Sequence, residues 1–263
     1  MITSLANEKV KYARSLRRRR QRTREGRLLV EGVRLLEEAM RAGCIPALLF
    51  FQPERSESPR AQALLAQARA ADVPCFAVAE TVLHSLSEMV TPQGIVAVVP
   101  QPQLRPPAAS NLVLVLDRLR DPGNLGTLLR TAAAAGVDEV LLGPGTVDPY
   151  NSKVVRAAMG AHFRLPLAVG LGWHGIAERL SGLTVWLADA QGEQAYDTVN
   201  WCAQAALIIG GEATGSSDKA VALAHGQLRI PMCGDTESLN AAAAAAVILF
   251  EAARQRRVQE SAD

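Results

Sequence analysis

The sequence predicts an α/β protein of two domains, residues 1–105 and residues 106–263. Three observations predict it. Between Arg27 and Val99, short apolar runs alternate with stretches of helical period, the alternation of an α/β sandwich. Leu112 to Leu116 is an unbroken apolar run, as a strand buried on both faces requires. Between the two, Gln101 to Ser110 carries Pro102, Pro106 and Pro107 without periodicity and reads as an extended, semi-rigid connection.

Composition narrows the class. The 263 residues suffice for two modest cores, and with 49% hydrophobic but only 4% aromatic residues those cores must be built from Ala, Leu and Val. No apolar run reaches the roughly 18 to 20 residues of a membrane span. The basic N-terminus lacks the apolar stretch of a secretory signal. Cys44, Cys75, Cys202 and Cys233 are far apart, with no CxxC pair and no His at ligand spacing. They read as free thiols of a reducing compartment, so the expectation is a cytoplasmic protein with no metal site and no disulfide framework.

The net charge of +2 hides an asymmetry. Residues 1–24 hold nine basic side chains against Glu8 alone, a sum of +8 that leaves −6 on the rest of the chain. Such a block is commonly a solvated helix face or a flexible arm. It is also the electrostatic footprint expected for a phosphate backbone. Its candidate nucleic-acid contacts are Arg17, Arg18, Arg19, Arg20, Arg22 and Arg24.

Taken in order, Arg27 to Gly32 reads as a strand and Val33 to Ala42 as a helix stopped by Gly43. Ile45 to Phe51 is a second strand and Pro59 to Ala71 a helix. Val73 to Val78 is a third strand, Glu80 to Ser87 a short helix and Gly94 to Val99 a fourth strand. In the second domain, strand 112–116 leads through a polar loop to a helix. Asn124 is a plausible N-cap, and the helix reaches Ala135 and ends at Gly136. Val137 to Leu142 is the next strand. A polar loop at the carboxyl end of such a strand is where open α/β sheets bind ligands. Gly143-Pro144-Gly145 lacks the third glycine of a dinucleotide fingerprint, and no Gly-Lys-Ser/Thr phosphate loop occurs, which argues against a nucleotide-dependent oxidoreductase.

Ser152 to Gly160 reads as a short helix, and Leu165 to Val169, Thr184 to Ala188 and Ala206 to Ile209 as strands. Gly210, Gly211 and Gly215 then surround Glu212, where glycines let a backbone approach a neighbour closely. Near the end, Arg229 to Asn240 reads as a short strand and a loop before a long Ala-rich helix reaching Arg257, with Ser238 as its N-cap. A buried core helix accounts for this segment. So does a loop whose main chain, beside Ile230 and Met232, holds a flat apolar ligand. His84, His162, His174 and His225 are scattered and read as structural or exposed, and Trp173, Trp186 and Trp201 as packing residues.

Three stretches, Asn111 to Arg130, Leu207 to Gly215 and Ile230 to Asn240, resemble in order and spacing the signature motifs of the SpoU/TrmH family of RNA ribose methyltransferases. Asp148 to Arg156 and Met159-Gly160-Ala161 look like a further family segment. The resemblance implies a SPOUT-class α/β domain with a knotted C-terminus, preceded by a ribosomal-protein-like RNA-binding domain. The opening, from Ile2-Thr3-Ser4 to Val30-Glu31-Gly32, is similar to that extension.

The resemblance also implies S-adenosylmethionine as cofactor, a ribose 2′-hydroxyl as methyl acceptor, ribosomal RNA ahead of transfer RNA as substrate, and a homodimer through the second domain. It assigns Arg130 to the 2′-hydroxyl, Asn124 to orienting the ribose or Arg130, and Glu212 to positioning RNA or catalytic side chains. Ser238 and Asn240 line the site and assist Arg130. Gly210, Gly211, Ile230, Met232 and Leu239 hold the cofactor, largely by main chain. A guanidinium with a pKa above roughly 12 is a poor general base, so a phosphate anchor that stabilises developing oxyanion charge is the physical alternative for Arg130. Two positions depart from the family pattern: Gly211 where Asn is common, and Ala158 where Ser is common. The rival reading is a non-catalytic RNA-binding or ribosome-assembly factor. Retention of Asn124, Arg130, Glu212, Ser238 and Asn240 favours the enzyme.

Overall fold

Four strands near the N-terminus form one mixed sheet, and seven later strands form a second, entirely parallel one. The computed structural model describes residues 1–212, 215–234 and 237–261. Ala213 and Thr214 of the second motif, and Asp235 and Thr236 of the third, lie outside the described residues. The chain divides into two units, Met1–Gln103 with Tyr150–Phe163 and Leu104–Pro149 with Arg164–Asp263.

The first unit runs α1 (Glu8–Ser15), α2 (Arg19–Glu25), β1 (Arg27–Glu31), α3 (Val33–Arg41), β2 (Leu48–Phe51), α4 (Pro59–Ala70), β3 (Cys75–Ala77), α5 (Glu80–Leu86) and β4 (Ile95–Pro100). Its sheet has the order β1-β4-β2-β3. The apolar run of β4 obeys the two-residue period of a strand. Ile95, Ala97 and Val99 enter a core with residues of α3 and α4, while Val96 and Val98 enter another with Val10, Ala13 and Leu16 of the N-terminal segment and Val82 and Leu83 of α5. The result is the α/β sandwich that the alternation predicts.

Residues 1–24 are therefore part of this unit's core rather than a flexible arm. Val10 and Ala13 are fully buried and Leu16 nearly so. The basic block forms two helices with a turn between them, and its arginines divide. Arg22 is buried, and its Nη1 donates to the carbonyls of Leu16 at 2.9 Å and Arg17 at 2.6 Å, which the end of α1 leaves unpaired. Arg17 is partly buried and donates to the Ser87 carbonyl at 2.7 Å. Arg18, Arg19, Arg20 and Arg24 are exposed.

The second unit begins with β5 (Leu112–Asp117), α6 (Pro122–Ala135) and β6 (Glu139–Leu142). α7 (Ser152–Ala157) follows in sequence but folds with the first unit, where Val155 and Phe163 are buried in the cluster of Leu28, Val30 and Leu64. Their apolar side chains explain why 150–163, read from sequence with the second domain, joins the first. The second unit continues with β7 (Leu167–Ala168), α8 (Trp173–Arg179), β8 (Thr184–Ala188), β9 (Gln194–Ala195), β10 (Ala205–Gly210), α9 (Asp218–Leu223), β11 (Gly226–Arg229) and α10 (Ala241–Glu260).

The parallel sheet has the order β7-β6-β5-β10-β8-β11-β9. Val113 and Val115 of β5 and Ala206 and Ile208 of β10 pack with Ile176 and Leu180 of the α8 region on one face. α10 packs against α6 and β10. Ala132, Ala242 and Ala245 are buried, so methyl-sized side chains replace bulky ones in that layer. The far end of α10 is held by polar bonds. Arg256 donates from Nε to the Trp201 carbonyl at 2.8 Å and from Nη2 to the Asn111 carbonyl at 2.8 Å, while Gln255 bonds both the amide of Trp201 and the carbonyl of Val199. Trp201 is fully buried, a packing residue as its sequence context suggests.

Several expectations are corrected. Asp121, not Asn124, caps α6: its Oδ1 accepts from the Asn124 amide at 2.7 Å, with Pro122 at the first helical position. Asn240, not Ser238, caps α10, its Oδ1 accepting from Ala242 at 2.9 Å and Ala243 at 3.4 Å. In both places several capping residues lie close together in sequence, and backbone geometry selects among them. The short strand expected from Arg229 onward ends there, as β11, because its pairing comes from the upstream residues Gly226 to Leu228 against β8. β9, α8 and α9 had no clear sequence signature.

Candidate active site

β10, β8 and β11 are parallel neighbours, so their carboxyl ends open on the same side of the sheet. A cavity of about 450 Å³ lies there. Its floor is Ala188, Ile209 and Leu228, the last or nearly last residues of the three strands. Its walls are Gly210 to Glu212, Gly215 and Ser216 after β10, Ile230, Met232 and Glu237 to Asn240, and Ala241, Ala244 and Ile248 of α10. The Ala-rich start of α10 leaves this space open, since Ala241 and Ala244 present methyl groups to it.

Nine of the residues singled out from sequence meet here. Gly210, Gly211, Glu212, Ile230, Met232, Ser238, Leu239 and Asn240 line the cavity, and Asn124 joins at its rim through two side-chain bonds. Asn124 Nδ2 donates to Glu212 Oε1 at 2.6 Å, and Asn240 Nδ2 donates to Asn124 Oδ1 at 3.1 Å. These bonds link the first turn of α6, the loop after β10 and the cap of α10 in one polar chain, Glu212–Asn124–Asn240. An Asn amide suits the centre of it, because it donates to a carboxylate and accepts from a second amide at once.

Arg130 lies two turns along α6, exposed, and makes no hydrogen bond or ion pair among the described residues. It does not line the cavity. Arg18, Arg19, Arg20 and Arg24 are in the first unit.

The glycines have a local explanation. A Cβ on Gly210 would lie 2.4 Å from Ser216 Oγ, and one on Gly211 would lie 2.5 Å from the Arg118 carbonyl oxygen. Their bare backbones are required by the close approach of Ser216 to the first and of Arg118 to the second. The departure at Gly211 has the same cause: an Asn there would drive its Cβ into the Arg118 carbonyl.

Sequence reasoning missed Asp189 and Glu237, which also line the cavity. Asp189 is the first residue past β8, a strand read correctly, so its place at the carboxyl end was the available signal. Glu237 had none beyond proximity to Ser238. With Glu212 these make three carboxylates, and no Lys, Arg or His among the described residues lines the cavity.

The main chain of Ile230, Met232 and Leu239 takes part in no hydrogen bond among the described residues. Unspent donors and acceptors beside apolar side chains suit a ligand that is partly flat and apolar and partly polar. Among the described residues, no three His, Cys, Asp or Glu side chains come together as a metal-holding group. No helix there is long and apolar enough to cross a membrane.

A cavity at the carboxyl ends of parallel strands, rimmed by a carboxylate–amide–amide chain, is placed where open α/β sheets bind ligands. The chain belongs to the SpoU rRNA Methylase family, which residues 111–250 match, and residues 7–97 match the MRM3-like substrate binding domain. It is 34% identical over 251 residues to the 23S rRNA (guanosine(2553)-2'-O)-methyltransferase RlmP of Bacillus subtilis, covering 95% of this chain and 97% of that one. It is 34% identical to the human mitochondrial rRNA methyltransferase 3 over 297 residues, 90% of this chain and 69% of that one. Among solved structures it is similar to the SpoU methyltransferase AviRb from Streptomyces viridochromogenes in complex with AdoMet. That match has a TM-score of 0.86 and 31% identity and covers 95% of this chain and 98% of that one.

Proposed function

We propose that this protein transfers a methyl group from S-adenosylmethionine to a ribose 2′-hydroxyl of ribosomal RNA. The observation that carries the reading is the Glu212–Asn124–Asn240 chain at the rim of a cavity of about 450 Å³, in a chain of the SpoU family. The cavity fits the cofactor by size, since small-molecule sites run from about 300 to 1,000 Å³. It fits by chemistry as well: apolar Ile209, Ile230 and Ile248 suit the adenine ring, the main chain of Ile230, Met232 and Leu239, unbonded among the described residues, suits its polar edges, and three carboxylates suit a sulfonium cation. When bound, the cofactor supplies a methyl carbon made electrophilic by the adjacent sulfonium.

The chain's own residues supply orientation and charge. Asn124, held from both sides, fixes where Glu212 points, and alignment of this kind accounts for up to about 7 to 11 kcal/mol of a barrier in model reactions. Arg130, exposed on α6 and without an ion pair among the described residues, stabilises negative charge developing on the ribose oxygen or grips the neighbouring phosphate. The first unit carries the exposed Arg18, Arg19, Arg20 and Arg24 to RNA phosphates. A homodimer through the second unit and a cytoplasmic location complete the reading.

Calorimetric titration with S-adenosylmethionine tests it first, followed by mapping of ribose methylation in ribosomal and transfer RNA. Saturable binding is expected. Ile230→Arg and Leu239→Arg, which add bulk and positive charge to the cavity wall, should each weaken it at least about 100-fold, or about 2.7 kcal/mol. No binding, with RNA present or absent, returns the protein to the class of non-catalytic RNA binders.

The basic surface is tested by substitution, because truncation would remove core residues. Changing Arg18, Arg19, Arg20 and Arg24 together to Gln should weaken RNA binding and flatten its salt dependence. The log–log slope should fall by about 0.7 to 0.9 for each phosphate the variant no longer neutralises. An unchanged slope, measured by filter binding over a salt series, would mean this face does not meet phosphate.

A further inference from the structure

Arg118, the residue after β5, is not among the family-implied site residues, yet three features of it are unusual. Its backbone is left-handed, with φ of 55°, a conformation that non-glycine residues seldom adopt and that costs free energy wherever it persists. Its side chain turns toward the loop after β10, where Nη2 donates to the Gly215 carbonyl at 3.3 Å. The stem passes Gly145, where a Cβ would lie 3.3 Å from Arg118 Cγ, so a bare glycine there leaves the stem its place.

The same strand end grips that loop twice more. The Arg118 carbonyl fills the space a Gly211 side chain would need, with its oxygen 2.5 Å from where that Cβ would sit. Asp117, fully buried, accepts from the Ser217 amide at 2.6 Å through Oδ2, and that oxygen lies 3.9 Å from Arg118 Nε. Gly211 and Gly215 form an isolated bridge to each other. Glu212 follows Gly211 directly, and its carboxylate meets Asn124.

We propose that Arg118 is a positioning residue: its guanidinium on Gly215 and its left-handed backbone against Gly211 hold the bridged pair of glycines beside which Glu212 reaches Asn124. This rests on the methyltransferase reading above. Arg118 acts inside the protein, not on the nucleic acid, although it is a cation at the carboxyl end of the sheet.

The test uses the full chain with Arg118→Gly, Arg118→Lys and Arg118→Ala. Arg118→Gly accepts the left-handed backbone and removes the side chain, stem and guanidinium together. It should slow single-turnover methylation about tenfold, the size of one hydrogen bond made by a charged group. Arg118→Lys, which returns a donor to the same carbonyl, should recover most of that rate. The salt slope of RNA binding should match the wild type in both variants. Amide hydrogen exchange across residues 211–217 should speed up about tenfold in Arg118→Gly, a readout independent of catalysis.

Wild-type rate and wild-type exchange in Arg118→Gly would overturn the proposal. So would a salt slope lower by the amount of about one phosphate, which would place Arg118 on RNA. If Arg118→Ala fails to fold because alanine resists positive φ, Arg118→Gly alone decides. A wild-type protein that binds no cofactor and methylates no RNA sinks the functional reading, while the exchange measurement still judges the clamp.

Discussion

Replacing Arg130 with alanine should lower the methylation rate at least about 100-fold, the scale of removing one charge-stabilising donor from a transition state. Cofactor affinity should stay within about threefold, because binding energy and rate are separable when a residue touches only the reacting end. The geometry supports both halves. Arg130 is not part of the cavity wall, so its loss leaves Ile230, Met232 and Leu239 in place. Its side chain is exposed and makes no bond among the described residues, so no group among them loses a partner. Alanine is the best helix former, which keeps α6 intact and the melting temperature unchanged. Arg130→Lys separates the two chemical roles. A phosphate anchor needs only charge, so lysine should restore much of the rate. A planar two-point grip on the ribose oxygen and a phosphate should be restored poorly. Turnover at the wild-type rate in Arg130→Ala, measured with saturating cofactor, would remove Arg130 from the reaction.

What the sequence made legible follows from where its signals are local. Leu112 to Leu116 reads as a strand because every residue is apolar, and all five are buried. Gly136 reads as a helix stop because only a left-handed residue ends α6 there, and its φ is 78°. β11 lies upstream of the strand expected from Arg229 because Gly226, Gln227 and Arg229 carry no apolar pattern, and its partners β8 and β9 are distant in sequence. The caps of α6 and α10 were misplaced because the choice between Asp121 and Asn124, or Ser238 and Asn240, depends on one backbone angle and not on residue type. Both corrections have consequences for the site. An N-cap side chain is occupied by amides of its own helix, and Asn124 is not an N-cap. Its amide group is therefore free to bond Glu212 and Asn240. Asn240 does both jobs, capping with Oδ1 and donating with Nδ2. The inward turn of Arg22 was invisible for a similar reason. A row of arginines looks uniform in sequence, and only the unpaired carbonyls at the end of α1 single one out.

Asn124→Asp should be the most damaging isosteric change in the polar chain. The wild-type amide donates to Glu212 at 2.6 Å, and the substitution puts a carboxylate against a carboxylate at that distance. Losing a hydrogen bond to a charged group costs about 1.5 to 3 kcal/mol, or about 10- to 100-fold in rate, and like-charge repulsion adds to it. Asn124→Ala removes the bond without the repulsion and should be milder. The fold should tolerate both. The backbone amide of residue 124 still bonds Asp121, and an acidic side chain in the first turn of α6 suits the positive end of the helix. Asn240→Ser supplies the second arm, because serine can still cap α10 but cannot donate an amide hydrogen to Asn124. If Asn124 is the hub, combining Asn124→Ala with Asn240→Ser should cost little more than Asn124→Ala alone, a departure from additivity of about 1 kcal/mol. Rates that simply multiply would show that Glu212 and Asn240 act separately. The chain of bonds would then be a feature of the resting enzyme without a part in aligning the reacting groups.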